Sequence, residues 1–202
     1  MNKQLLQLKK EFGKYGSWAL WDENGRITEI IEKPEFQSLI KPSIIFVGLN
    51  ASMELLNLED WINYHGECCR FGKIKSWKQT HASKLAEALR EKEFEVFAGA
   101  YMTDIVKDDN NPNSNNIAKE ANLHNIELFE NELNLLSKIS GSDEFRIICI
   151  GNKSFDILNK ITKYKIDKIW HYSAYQLGWE GVKERIRQDL REIIKKIENK
   201  IA

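Results

Sequence analysis

Four short apolar bursts, set roughly 20 to 50 residues apart and separated by amphipathic patterns, constrain this chain more than any other feature. Ser43-Ile44-Ile45-Phe46-Val47-Gly48 is β-branched and does not alternate with polar residues, the pattern of a strand covered on both faces. Val96 to Met102 and Phe145 to Gly151 have the same character, and Lys168-Ile169-Trp170-His171 is a weaker fourth. Between the bursts, apolar residues recur at three and four: Leu85, Ala86 and Leu89; Ile126, Phe129, Leu133 and Leu136; Phe155, Leu158 and Ile161. Val182, Ile186, Leu190, Ile193, Ile194, Ile197 and Ile201 then form one long helical stripe. Strands alternating with helices predict an α/β fold, with a short, mainly parallel four-stranded sheet and helices on both faces in three α/β/α layers. Residues before about Lys41 read as an N-terminal helix and an extension, with a hairpin around Asp22-Glu23-Asn24-Gly25, packed on the same core.

The length, 202 residues, suits a single domain over 1–202. Thirty basic and thirty acidic residues cancel, so a strongly basic nucleic-acid-binding domain is excluded. The balance is regional, however. Glu144 to Ala202 holds 13 basic and 8 acidic residues, Asp104 to Asp143 holds 3 and 8, and a local positive groove is therefore compatible with neutrality. Arg70, Lys73, Lys75 and Lys78, interleaved with Phe71 and Trp77, suit a phosphate backbone as well as a solvated face. Three cysteines, two of them adjacent, exclude a disulfide framework and point to a reducing, cytoplasmic setting. No apolar run approaches 20 residues, so no membrane partner is expected. His65, Cys68, Cys69 and His81 match no zinc spacing, and no metal or cofactor is expected.

In a sheet of this kind, binding residues gather beyond the carboxyl ends of the strands. After the four bursts come Gly48-Leu49-Asn50-Ala51-Ser52, Thr103-Asp104-Ile105, Gly151-Asn152-Lys153-Ser154 and His171-Tyr172-Ser173. Taken in order, these ends resemble the uracil-DNA glycosylase superfamily. Gly48-Leu49-Asn50-Ala51-Ser52 looks like its first motif, with a central Asn similar to the mismatch-specific and single-strand-selective branches. His171-Tyr172-Ser173 resembles the His-Pro-Ser motif, with Tyr172 in the place of proline. Tyr101-Met102-Thr103-Asp104 resembles Tyr-Ile-Thr-Asn, with Asp104 replacing the asparagine, and Ile148 to Asn152 looks like the third strand. The matching pieces span about residues 43 to 190.

The resemblance implies a hydrolase cleaving the N-glycosidic bond of a flipped-out uracil or modified base in single-stranded or mismatched DNA, acting as a monomer in DNA repair. Such chemistry produces an oxocarbenium-like sugar and an anionic base, so a donor must meet the base and a water must be held below the sugar. His171 suits the first role and Asn50 the second, although a carboxamide is no strong base. Gly48 and Leu49 supply main chain at the turn, Ser52 and Ser173 supply hydroxyls, and Phe71 is the expected stacking partner. Arg70, Tyr175, Gln176 and Leu177 are candidates for backbone contact and for the wedge that fills the vacated stack. An ionised Asp104 offers only acceptors, which suits a base edge rich in N–H groups; burial would protonate it, and capping or pairing with Lys107 is the structural alternative. Asn50 as a turn former and His171 as a half-buried structural histidine are the corresponding alternatives there. A catalytically inactive module of the same fold, binding DNA or a nucleotide-like ligand, is the rival reading, because Asn50, Asp104 and Tyr172 all soften the resembled pattern.

Overall fold

The computed structural model describes residues 1–50, 59–69, 77–107, 123–161 and 163–199. Its centre is β2, Lys41–Asn50, flanked by β3, Ala100–Val106, and β4, Arg146–Ile150; β5, Lys165–Ile169, lies outside β4. These four run parallel, and the two-residue β1, Ser17–Trp18, adds an antiparallel edge to β3, giving the order β1-β3-β2-β4-β5. The sheet thus has five strands and is mixed, where the sequence predicted four. Two residues carry no readable period, so β1 exists only through its ladder, Ser17 opposite Met102 and Trp18 opposite Tyr101.

The unbroken apolar run of β2 follows from burial on both sides. Ile45, Val47 and Leu49 join a cluster with Leu5, Leu8 and Phe12 of α1 (Lys3–Phe12), Phe129, Leu133 and Leu136 of α5 (Leu123–Ser140) and Leu158 of α6 (Asn152–Ile161). Phe46 joins the other, with Leu85, Ala86 and Leu89 of α4 (His81–Leu89) and Val182, Ile186, Leu190 and Ile193 of α7 (Gly178–Glu198). Two four-residue helices, α2 (Thr28–Ile31) and α3 (Phe36–Leu39), complete the N-terminal part. The stripe in α1 starts where Asn2 Oδ1 accepts the Leu5 N–H at 2.8 Å, an N-cap.

Three boundaries differ from expectation. The second burst begins too early: Lys92–Phe97 is a 3₁₀ stretch that buries Phe94 and Phe97, and the strand starts only after Gly99, whose φ of +80° turns the chain. The fourth strand begins earlier, at Lys165, and leaves His171 two residues beyond its end. Around Asp22 to Gly25 there is a turn, closed by Asp22 Oδ1 accepting from the Asn24 and Arg26 N–H groups, but β1 pairs with β3, so no hairpin forms there. Among the described residues, no helix is long and apolar enough to cross a membrane.

Candidate functional site

Register brings the predicted strand ends together. Gly48 pairs with Asp104 and Asn50 with Val106, while Val47 pairs with Cys149 and Ile150 with Ile169 on the other side. Beyond these ends lies a cleft of about 400 Å³. Leu49 and Asn50 line it from β2, Ile150 to Lys153 from β4 and the start of α6, His171 to Ala174 from the segment after β5, and His81 from the start of α4. The Leu49 side chain also belongs to the first core cluster. Among the described residues, two imidazoles and one lysine line this cleft, and no carboxylate does. A hollow of about 360 Å³ between α5 and α6, lined by Phe129, Leu133, Leu158 and Tyr164 among others, lies away from the strand ends.

His171 is the best-defined group in the cleft. The Ser173 main-chain N–H reaches its Nδ1 at 3.1 Å, and Ser173 Oγ lies 2.7 Å from the same nitrogen. A main-chain N–H only donates, so Nδ1 accepts and the proton of the neutral ring resides on Nε2. Burial, then the neighbouring His81 and Lys84, push the imidazole down to about 4, so the ring is uncharged at neutral pH. Gly151, with φ of +90°, makes room: a Cβ there would stand 3.0 Å from His171 Cδ2. Tyr172 lies against the ring, with centroids 4.6 Å apart.

Asp104 occupies a different place from the base-reading position expected of it. It is 4 % exposed, lies outside the cleft wall, and both its oxygens are taken by the chain itself. Tyr64 Oη donates to Oδ1 at 2.7 Å, and Asn63 Nδ2 donates to Oδ2 at 3.2 Å. Burial raises its pKa to about 6, against the lowering effect of the Tyr64 hydrogen bond, Lys107 and Asn63. A Cβ on Gly48 would collide with Asp104 Oδ1, so the glycine serves close packing of this carboxylate. The arrangement holds an unusual turn: Trp61 and Tyr64 have φ of 65° and 68°, left-handed values that aromatic residues rarely adopt. Trp61 is locked against Trp18 and Phe36, and the Asp104 carboxylate ties down Asn63 and Tyr64. Lys107 does not pair with this carboxylate; its Nζ donates to the Asp104 main-chain oxygen at 2.7 Å and pairs with Glu132 at 2.8 Å.

Of the remaining candidates, Tyr175 is 82 % exposed at the cleft mouth, edge-on to His81 with centroids 5.5 Å apart. Leu177 is 49 % exposed and Gln176 is exposed beside it. Ser52, Arg70, Phe71, Lys73 and Lys75 lie outside the described residues. Trp77 packs against Gly25 and the second core cluster. His65 is buried, with Nε2 at 3.2 Å from the Trp18 carbonyl, and burial pushes it down to about 3. Cys68 donates to the Ile62 carbonyl at 2.6 Å. Among the described residues, no group of three His, Cys, Asp or Glu is placed to hold a metal.

Four residues at or behind the cleft were given no role in the sequence reading. Asn152 and Lys153 follow the third burst directly, so the strand-end rule that found Asn50 also reaches them. His81 and Lys84 carry no local signal beyond the Thr80 N-cap that starts α4. The chain matches no family model, no curated protein and no solved structure.

Proposed function

We propose that the chain is a DNA glycosylase-like hydrolase of three-layer α/β/α architecture, cleaving the N-glycosidic bond of an extruded uracil or modified base. The observation that carries this reading is the meeting of Asn50 with a neutral, Nε2-protonated His171 in a cleft lined, among the described residues, by no carboxylate. Ordinary glycoside hydrolysis uses two carboxylates flanking the bond, and the cleft wall offers none among the described residues. A Ser–His hydrolase needs an imidazole that accepts a proton near neutral pH, whereas His171 is held down to about 4 and its Nδ1 already accepts a main-chain N–H.

A neutral N–H donor is instead suited to negative charge that develops late. As the bond to the sugar breaks, the electron pair moves onto the base, and His171 Nε2–H stabilises a base oxygen or nitrogen in the transition state. The Asn50 carboxamide orients the water that adds to the sugar carbon, and the proton from that water passes to solvent or to the released base. Lys153 and the start of α6 favour an adjoining phosphate. Tyr175, Gln176 and Leu177 stand exposed at the mouth, where a wedge into the vacated stack would sit.

The engagement of Asp104 by Asn63 and Tyr64 favours a second reading, because it takes away the strand-end side chain expected to read the base edge. That reading is a non-catalytic module of the same fold, binding DNA or a nucleotide-like ligand. One experiment separates the two. Single-stranded and mismatched oligonucleotides carrying uracil, hypoxanthine, xanthine or modified cytosines are incubated with wild type, His171→Ala and Asn50→Ala. Base release by wild type that both variants lose supports the hydrolase. Salt-sensitive binding without release supports the module, and no binding at all eliminates both.

A further inference from the structure

Lys84 of α4 is 3 % exposed, yet among the described residues no carboxylate lies within 4.0 Å of its ammonium. Two acidic side chains stand close in sequence to its surroundings, Glu87 one turn along the same helix and Glu180 beside Trp179. Both pair with Lys183 instead, each at 2.9 Å. The Lys84 ammonium meets three neutral groups: the Tyr172 carbonyl at 2.9 Å, His81 Nδ1 at 3.1 Å and the indole face of Trp179 at 4.4 Å from the centroid. Three N–H groups thus find a carbonyl, an imidazole nitrogen and a π face. An ammonium donates only, so His81 Nδ1 is unprotonated here. A buried cation without a counter-charge is costly, and an apolar side chain of similar length would fill the space more cheaply. Its position is therefore informative: it sits directly behind the segment that carries His171.

We propose that Lys84 is a positioning residue for the cleft, tying the His171–Tyr172 segment to α4 through the Tyr172 carbonyl and setting an uncompensated positive charge behind both imidazoles. The inference rests on the hydrolase reading only for its consequence, since the geometry stands without it. Among the described residues, the titratable groups facing His171 are His81 and Lys84 of α4, Lys153 at the start of α6 and Tyr172 of its own segment, with no carboxylate in the cleft wall. A charge so placed does two things. It disfavours a proton on Nδ1 of either imidazole, which keeps His171 as an Nε2–H donor. It also makes the cleft receptive to an anion, here the leaving base, without itself touching it. Burial and Lys84 lower His81 as well, in keeping with two neutral rings around one cation.

The test is the imidazole titration of His171, followed by nitrogen NMR in full-length wild type, Lys84→Met, Lys84→Gln and Lys84→Arg. Wild type is expected to titrate near 4. Lys84→Met is expected to raise that midpoint by about one pH unit, a tenfold gain in proton affinity, and Lys84→Arg to restore most of the shift. Lys84→Gln keeps a donor for the Tyr172 carbonyl but drops the charge, so it is expected to follow Lys84→Met; it also carries the test should Lys84→Met not fold. An unchanged His171 midpoint in a folded, uncharged variant overturns the proposal. A shifted midpoint in a protein that releases no base from any oligonucleotide leaves Lys84 in place and overturns the hydrolase reading instead.

Discussion

Two lysines are buried on opposite sides of the same sheet, and their surroundings differ in the one respect that separates support from function. Lys107, 7 % exposed, sits where α5 crosses β3 and is fully answered: Glu132 at 2.8 Å, Thr103 Oγ1 at 3.0 Å and the Asp104 carbonyl at 2.7 Å. Glu132 in turn accepts from Tyr101 Oη at 2.7 Å and from Thr103 Oγ1 at 3.0 Å. Lys84 is as deeply buried and, among the described residues, has no carboxylate beside it. A paired buried charge binds elements together, and removing one partner strands the other. One without a counter-charge holds its neighbours only through neutral acceptors, here the Tyr172 carbonyl, and changes the electrostatics of whatever lies beside it, here the cleft with His171.

The largest expected effect follows from the first lysine. Lys107→Met leaves Glu132 charged and buried, and is expected to cost about 3–5 kcal/mol in urea unfolding; Lys107→Met/Glu132→Gln, which removes both charges, is expected to recover most of it. Equal losses in the single and double variants would break the comparison. Next comes the cleft. His171→Ala is expected to slow base release by roughly 100-fold or more, about 3 kcal/mol of transition-state stabilisation, with a much smaller change in unfolding free energy.

The pH dependence of stability sharpens the picture of the buried carboxylate. The folded-state pKa of Asp104, about 6, lies above its ordinary value of 3.8, so its contribution is fully present below 3.8 and lost as pH rises through 6. Asp104→Asn is expected to remove that loss between about 4 and 6, read as a change in the slope of unfolding free energy against pH. His171 and His65 act with the opposite sign. Their folded-state values, about 4 and about 3, lie below 6.5, so their contribution is present above 6.5 and is lost as pH falls through those lower values. The smallest expected effect belongs to Lys84→Met, within about 1 kcal/mol of wild type in either direction, because the donor lost to the Tyr172 carbonyl is offset by removing a buried charge, and no opposite charge is stranded. A loss as large as that of Lys107→Met would show that the two lysines do the same work.

What the sequence could reveal tracks how local each feature is. β2 and β4 carry unbroken apolar runs, Ile44 to Val47 and Ile147 to Ile150, because both faces are covered there, and α5, α6 and α7 carry long one-sided stripes. β5 was misplaced because it is an edge strand whose Asp167 answers Arg146 at 2.6 Å and Lys196 at 2.8 Å, so charges interrupt its apolar pattern. Asn50 and His171 were legible because strand ends in such a sheet converge, and the cleft contains both. Asp104 was legible as a polar strand-end residue but not as an occupied one, since Asn63 and Tyr64 reach it from 41 and 40 residues away in a turn with left-handed aromatic residues. Lys84 meets Tyr172 across 88 residues, a contact no local pattern encodes.

The central claim is that His171 works as a neutral donor. The most direct measurement is the single-turnover rate of base release between pH 5 and 8, on whichever oligonucleotide of the screen wild type cleaves. Because burial, His81 and Lys84 hold the imidazole down to about 4, the rate is expected to be flat across that range and to vanish into background in His171→Ala. A rate that climbs as pH falls through 6.5 would make the donor an imidazolium, and release of no base from any oligonucleotide would contradict the account outright.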